Sequence, residues 1–232
     1  MIYVMSDLHG MYDKYIQMLA SIHFCDEDVL YILGDVIDRG RDGIKILQDV
    51  MKRSNITLLC GNHEWMMAQS LDIIRQPLTN EYLEQFDDET VMLLTDWIYN
   101  GAKPTIACFR TLSNEEQDAI LTYVSNLTYY KQLSVNHRNF LLVHAGVQGF
   151  DENKPLDSYP KNAFLWIRPD WSEPYYQDEN TYVIVGHTPV QLMSQQAKIF
   201  HSNRFIDLDC GACFDHGALG CLCLDTMEEF YV

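Results

Sequence analysis

Apolar residues recur along this chain with two periods, and the switches between them mark out its elements. IYVMSD, VLYILGD and ITLLCGN are short continuous apolar runs that end in a polar turn, the pattern of buried strands. Between them, Tyr12, Tyr15, Ile16 and Leu19 fall at i, i+3, i+4 and i+7, and Ile44, Leu47 and Met51 share a second helical face. This alternation predicts β–α–β units with parallel strands over the first third. Residues 65–135 differ. WMMAQSLDII reads as a helix that stops before Pro77. YLEQFDDETVMLLTDWIYN reads as one long helix closed by Asn100-Gly101, and a Ser113–Glu116 capping box starts EEQDAILTYVSNL. The stretch predicts a helical cap beside the sheets, inside a single domain spanning 1–232. Strand signals return in YYKQLSV and NFLLVHAGV, which flank NHRN as a hairpin, and then in YVIVGHTPV, KIFHSNRFIDLDC and LGCLCLDTMEEFYV. Residues 148–180 hold four of the seven prolines and predict a long ordered loop.

Composition narrows the class. The 232 residues are 47% apolar and 21% charged, enough for a substantial core. No stretch approaches the roughly 18 uninterrupted apolar residues of a membrane helix, so no membrane partner is expected. The first strand begins at Ile2 and the turn after it already carries candidate chemistry, so the reading expects no cleaved leader and a cytoplasmic protein. Sixteen Lys+Arg against 33 Asp+Glu give a formal charge of −17. So acidic a surface repels a polyanion, which argues against nucleic acid as a partner. The seven cysteines are an odd set and read as reduced thiols. Cys221 and Cys223 sit two apart on one strand face, as small buried side chains rather than half of a zinc knuckle.

Five segments concentrate the chemistry: SDLHG at 6–10, GDVIDRG at 34–40, GNHE at 61–64, VHAG at 143–146 and GHTP at 186–189. Each follows an apolar run and reads as a strand entering a tight turn. Together they present Asp7, His9, Asp35, Asn62, His144 and His187. Asp7 and His9, two apart at a strand end, point to the same side. A carboxylate such as Asp35 can bridge two cations, Asn62 adds a neutral oxygen, and the histidines add imidazole nitrogen. This mixed set suits two divalent ions, manganese first and iron or zinc next, and disfavours an oxygen-only calcium cage. Two such ions about 3.5–4 Å apart lower the pKa of a shared water and clamp phosphate oxygens. Arg39 and Arg168, the latter in FLWIRPDW, are candidate phosphate clamps, with Asn62 beside the phosphate as well. His63 can protonate a leaving alkoxide, with Asp38 orienting it. His23, His137, His201 and His216 lie outside these segments and read as structural or surface residues. Trp166, Trp171, Tyr175 and Tyr176 suit either a substrate groove or loop packing.

These motifs, Asp7-x-His9-Gly10, Gly34-Asp35-x-x-Asp38-Arg39-Gly40, Gly61-Asn62-His63-Glu64, His144-Ala145-Gly146 and Gly186-His187-Thr188-Pro189, resemble those of the phosphoprotein phosphatase family of metallophosphoesterases, and most of all its short bacterial and phage members. The order of the motifs covers most of the chain; Ser6 stands where many relatives have glycine. The resemblance implies an α/β calcineurin-like fold: two mixed β-sheets packed as a sandwich, flanked by helices, with a helical cap insertion. It implies that Asp7, His9 and Asp35 bind a first metal and that Asp35, Asn62, His144 and His187 bind a second. Asp38 and His63 would form an acid dyad, and Arg39 and Arg168 would hold the phosphate. The expected activity is hydrolysis of phosphoserine and phosphothreonine in proteins by direct attack of a metal-bridging hydroxide, with a phosphorylated protein or a small phosphoester as the expected partner. A dinucleoside tetraphosphatase of the same fold is the nearest alternative; a nuclease and a non-catalytic binding protein stand further off.

Overall fold

The computed structural model describes residues 1–70 and 73–232. Strands β1 (Ile2–Met5), β2 (Val29–Ile32) and β3 (Ile56–Leu58) are parallel and are joined by α1 (Tyr12–Ser21) and α2 (Gly43–Val50), as the alternating pattern predicts. Helices α3 (Asn62–Ile74), α4 (Asn80–Leu83), α5 (Asp88–Tyr99), α6 (Lys103–Phe109) and α7 (Asn114–Ser125) follow. The chain then forms β4 (Tyr130–Val135) and β5 (Arg138–Val143), the expected antiparallel hairpin. After the long loop come β6 (Thr181–Val185), β7 (Phe200–Ser202), β8 (Phe205–Asp207), β9 (Gly220–Cys223) and β10 (Glu229–Tyr231).

The strands build two mixed five-stranded sheets, ordered β10-β9-β1-β2-β3 and β4-β5-β6-β8-β7. Alternation along each strand divides the core into three layers. Val4 and Leu222 of the first sheet face Phe140, Leu142, Ile184 and Ile206 of the second in the interior of the sandwich. Tyr3, Met5, Leu30, Ile32, Cys221 and Cys223 point the other way, onto the helices. Leu141, Val143, Val183, Val185 and Phe205 pack under the long loop, against Leu156, Tyr159 and Phe164. The Cys221–Cys223 pair is therefore core packing, and all seven cysteines are free thiols. Among the described residues no helix is long and apolar enough to cross a membrane.

Four features differ from the sequence reading. The single helix expected over YLEQFDDETVMLLTDWIYN is broken, because the Asp87 carboxylate accepts the Thr90 N–H (2.8 Å) and starts α5 anew. Helix α6 went unread; it is short, and its buried Thr105, Ile106 and Phe109 are set by tertiary packing rather than by a long period. KIFHSNRFIDLDC is two strands, with Asn203 and Arg204 at φ 47° and 64° forming a left-handed turn that reverses the chain. LGCLCLDTMEEFYV is likewise a hairpin, β9 to β10.

Candidate active site

The carboxyl ends of β1, β2, β3, β5 and β6 converge at one edge of the sandwich, and all five motifs lie there. Asp7, His9, Asp35, Asp38, Arg39 and His187 have φ between 41° and 70°. Such left-handed backbone costs on the order of 1–3 kcal/mol at each non-glycine residue and persists only where its surroundings hold it. Cross-turn hydrogen bonds do that here. His9 N–H donates to Asp35 O (2.9 Å), Gly10 N–H to Val36 O (2.9 Å) and Gly40 N–H to His9 O (3.0 Å). The buried Glu64 carboxylate accepts N–H groups from Asp35 (2.7 Å), Val36 (2.9 Å) and Gly61 (3.1 Å), tying the second turn to the third. Two glycines are required by close approach. A Cβ on Gly61 would lie 2.2 Å from Asp35 Oδ1, and one on Gly186 would lie 2.1 Å from Asp7 Oδ2.

The side chains on these turns face one another with their outer atoms already engaged. His9 Nδ1 pairs with Ile37 O (2.9 Å) and His144 Nδ1 with Leu33 O (2.7 Å), so each presents Nε2 to the centre. Asp7 Oδ2 accepts the Ser6 hydroxyl and the His187 N–H, which leaves Oδ1 facing inward. Ser6 thus supports Asp7 in a way that glycine cannot. Asp35 belongs to two groups whose donor atoms lie within 4.8 Å of one another: His9–Asp35–His63 and Asp35–His144–His187. Asn62 Oδ1 lies 2.8 Å from His144 Nε2 and 3.0 Å from His187 Nδ1. Asp7 Oδ1 is 4.0 Å from His9 Nε2. Burial pushes Asp35 well above the ordinary carboxylate range, with the charges of Asp7 and Glu64 adding to it. Burial likewise drives His9 well below its usual value, lowers His144, and takes His187 down to about 2. Neutral imidazoles beside crowded carboxylates, with mixed nitrogen and oxygen donors, fit a pair of borderline divalent cations.

Asp38 and His63 meet beside Asp35, next to His9. His63 Nδ1 is 2.5 Å from Asp38 Oδ2, and His63 Nε2 is 3.7 Å from Asp35 Oδ2. Burial drives His63 down and lifts Asp38 to about 7. Two residues without a role in the sequence reading complete this corner: Trp97 Nε1 donates to Asp38 Oδ2 (2.6 Å) and Thr105 Oγ1 to Asp38 Oδ1 (2.6 Å). They lie 59 and 67 residues from Asp38 and carry no local signal.

A cavity of about 730 Å³ opens over the cluster, lined by Arg39, Arg168, Trp166, Phe214, His216 and Gln191 among others. The Arg39 guanidinium sits 5.4 Å from the Phe214 ring centroid, and its Nη1 donates to Cys213 Sγ (3.7 Å). Arg168 reaches the same cavity from the long loop. Trp166 stands edge-on to His187, with centroids 6.3 Å apart. Of the other loop aromatics, Trp171, Tyr175 and Tyr176 pack against the second sheet. His216, expected to be a structural or surface residue, is exposed and also lines the cavity, on the turn that brings Cys213 and Phe214 to Arg39. His201 does lie outside the site and pairs with Glu229 (2.7 Å).

Comparison with known proteins gives a consistent picture. A sequence model of the calcineurin-like phosphoesterases matches residues 1–218. The symmetrical bis(5'-nucleosyl)-tetraphosphatase of Wigglesworthia glossinidia brevipalpis is 41% identical over 64 residues, 27% of this chain and 24% of that protein. The chain thus matches about a quarter of that relative's length. The asymmetrical bis(5'-nucleosyl)-tetraphosphatase of Oceanobacillus iheyensis is 24% identical over 239 residues, 91% of this chain and 84% of that protein. Among solved structures, one described as a candidate diadenosine tetraphosphatase superposes with a TM-score of 0.63 at 16% identity, covering 100% of this chain and 92% of that one. A serine/threonine phosphatase from Saccharomyces cerevisiae gives 0.54 at 13% identity, covering 95% and 71%. These two structures bear on the fold alone.

Proposed function

The chain belongs to the calcineurin-like phosphoesterase family, and from that premise we propose that it is a metal-dependent phosphomonoesterase acting on phosphoserine and phosphothreonine. The Asp38–His63 pair carries this reading. A serine alkoxide leaves poorly at neutral pH and needs a proton as the P–O bond breaks. A nucleoside phosphate leaves as a stable anion whose acid titrates near ~6, so it needs none. A buried imidazole held by a buried carboxylate, with Nε2 facing the candidate metal cluster, is machinery for the first kind of leaving group.

Asp7, His9 and Asp35 would hold one divalent ion, and Asp35, Asn62, His144 and His187 the other. Bound there, such ions supply an activated water and positive charge for the phosphate oxygens. The protein's own groups do the rest. Arg39 and Arg168 orient the phosphate by paired N–H donors, with the Asn62 amide beside them. The phosphate's negative charge favours the imidazolium of His63, which gives its Nε2 proton to the departing oxygen. Asp38 takes up the positive charge from the other side of the ring. The formal charge of −17 opposes a nucleic-acid substrate.

A second reading, cleavage of dinucleoside tetraphosphates, is favoured by the names of the relatives and by the exposed Trp166 and Phe214 side chains in the cavity lining, aromatic surface of the kind a base packs against. Turnover of a phosphoserine peptide and of diadenosine tetraphosphate, side by side with manganese, separates the two. The phosphopeptide should be the faster substrate; faster dinucleotide cleavage overturns the first reading.

A further inference from the structure

We infer that Trp97 and Thr105, from the helical insertion, are positioning residues that lock Asp38 and thereby fix the tautomer and ring orientation of His63. The inference rests on the phosphomonoesterase reading for its consequence, but its geometry stands independently. Asp38, Trp97, Thr105 and His63 are all buried. Oδ2 of Asp38 faces two donors, His63 Nδ1 at 2.5 Å and Trp97 Nε1 at 2.6 Å. Oδ1 accepts from Thr105 Oγ1 at 2.6 Å. The same hydroxyl oxygen accepts the backbone N–H of Asp38 at 2.9 Å. Its single proton is thus committed to Oδ1, and neither partner can turn without losing a bond.

An aspartate carboxylate otherwise rotates over a broad, two-fold torsion. Pinned at both oxygens by donors, the ionised Asp38 carboxylate accepts from His63 as well. The proton is then held on Nδ1, and Nε2 faces Asp35, 3.7 Å away. The same short segment also reaches the phosphate side, since Gly101 O accepts the Arg39 N–H at 2.9 Å. The insertion therefore sets the aim of the proton donor and the backbone of a phosphate clamp together. A merely structural role would satisfy a buried carboxylate without affecting which nitrogen of His63 is free.

Two variants test the clamp. Thr105→Val keeps the shape and removes the hydroxyl; Trp97→Phe removes the indole N–H while filling most of its volume. In manganese-loaded protein each should lower kcat on a phosphoserine peptide by roughly 10–100-fold, part of the range for proton-transfer catalysis. On p-nitrophenyl phosphate, whose phenolate leaves without a proton, the change should stay below about threefold. Thr105→Ser, which restores the hydroxyl, should recover the peptide rate. Equal losses on the two esters, or no loss on either, would overturn the inference. A second measurement needs no turnover: the low-field imidazole N–H resonance of His63, expected for its short bond to Asp38, should move or broaden in both variants. A resonance unchanged in both overturns the clamp. If the resonance responds while the wild-type protein hydrolyses neither ester, the clamp stands and the phosphomonoesterase reading fails.

Discussion

The sheet ends that carry Asp7, Asp35, Asn62, His144 and His187 and the insertion that carries Trp97 and Thr105 reach one cleft by different routes. On the sheet side, short parallel strands deliver donors at fixed positions, and the strained turns are laced to each other by backbone hydrogen bonds and by Glu64. Among the described residues, the helical side adds no member to the two donor groups around Asp35. Instead, α5 and α6 send two hydrogen-bond donors across to a carboxylate that belongs to the sheet side. On the proposed reading, the first region gathers charge and the second aims a proton. In that reading a helical segment expected to act as a cover reaches the proposed chemistry, because Asp38 and His63 sit where the two regions meet.

Mutations can break each region separately. The largest effect belongs to Asp35→Asn. Asp35 is shared by both donor groups, so its loss should take turnover to background; full activity would remove it from the centre of the account. Next is His63→Asn, which should cut the rate on a phosphoserine peptide by roughly 10²–10⁴-fold. The loss should shrink on an aryl phosphate, and an equal loss on both esters would argue against proton donation. The smallest effect concerns stability. Burial lifts Asp38 to about 7, above its value in the unfolded chain. A carboxyl raised on folding favours the native state while protonated, and that contribution is lost as pH climbs from about 4 through about 7. Asp38→Asn is neutral throughout. Urea midpoints of metal-free protein between about pH 5 and 8 should therefore fall more steeply for wild type than for the variant. Parallel slopes would show that burial of Asp38 carries no such penalty.

The same division governs what could be read in advance. The sheet-side donors were legible because ligand, turn and strand are encoded together within a few residues, as in Gly34-Asp35 and Gly186-His187. The two-sheet architecture is what the family resemblance implies, whereas the apolar runs locate its strands, with Leu222 turned inward and Cys221 and Cys223 outward by simple alternation. The insertion resisted this kind of reading. Its apolar pattern located helices but hid the break at Asp87 and the whole of α6. Trp97 and Thr105 look like ordinary core residues, and their partner lies 59 and 67 residues away. His216 and Phe214 reach the cavity only because a turn folds back over Arg39. Long-range contacts of this kind leave no period and no motif.

Metal counting separates a shared carboxylate ligand from a proton donor, because geometry alone groups His63 with His9 and Asp35 as closely as it groups Asp35 with His144 and His187. Manganese bound at equilibrium would be measured on wild type, Asp35→Asn and His63→Asn. Two ions per chain are expected in wild type, two in His63→Asn, and fewer than one in Asp35→Asn. Loss of an ion from His63→Asn would make that histidine a ligand rather than a proton donor, and two ions retained by Asp35→Asn would contradict a shared carboxylate at the heart of the site.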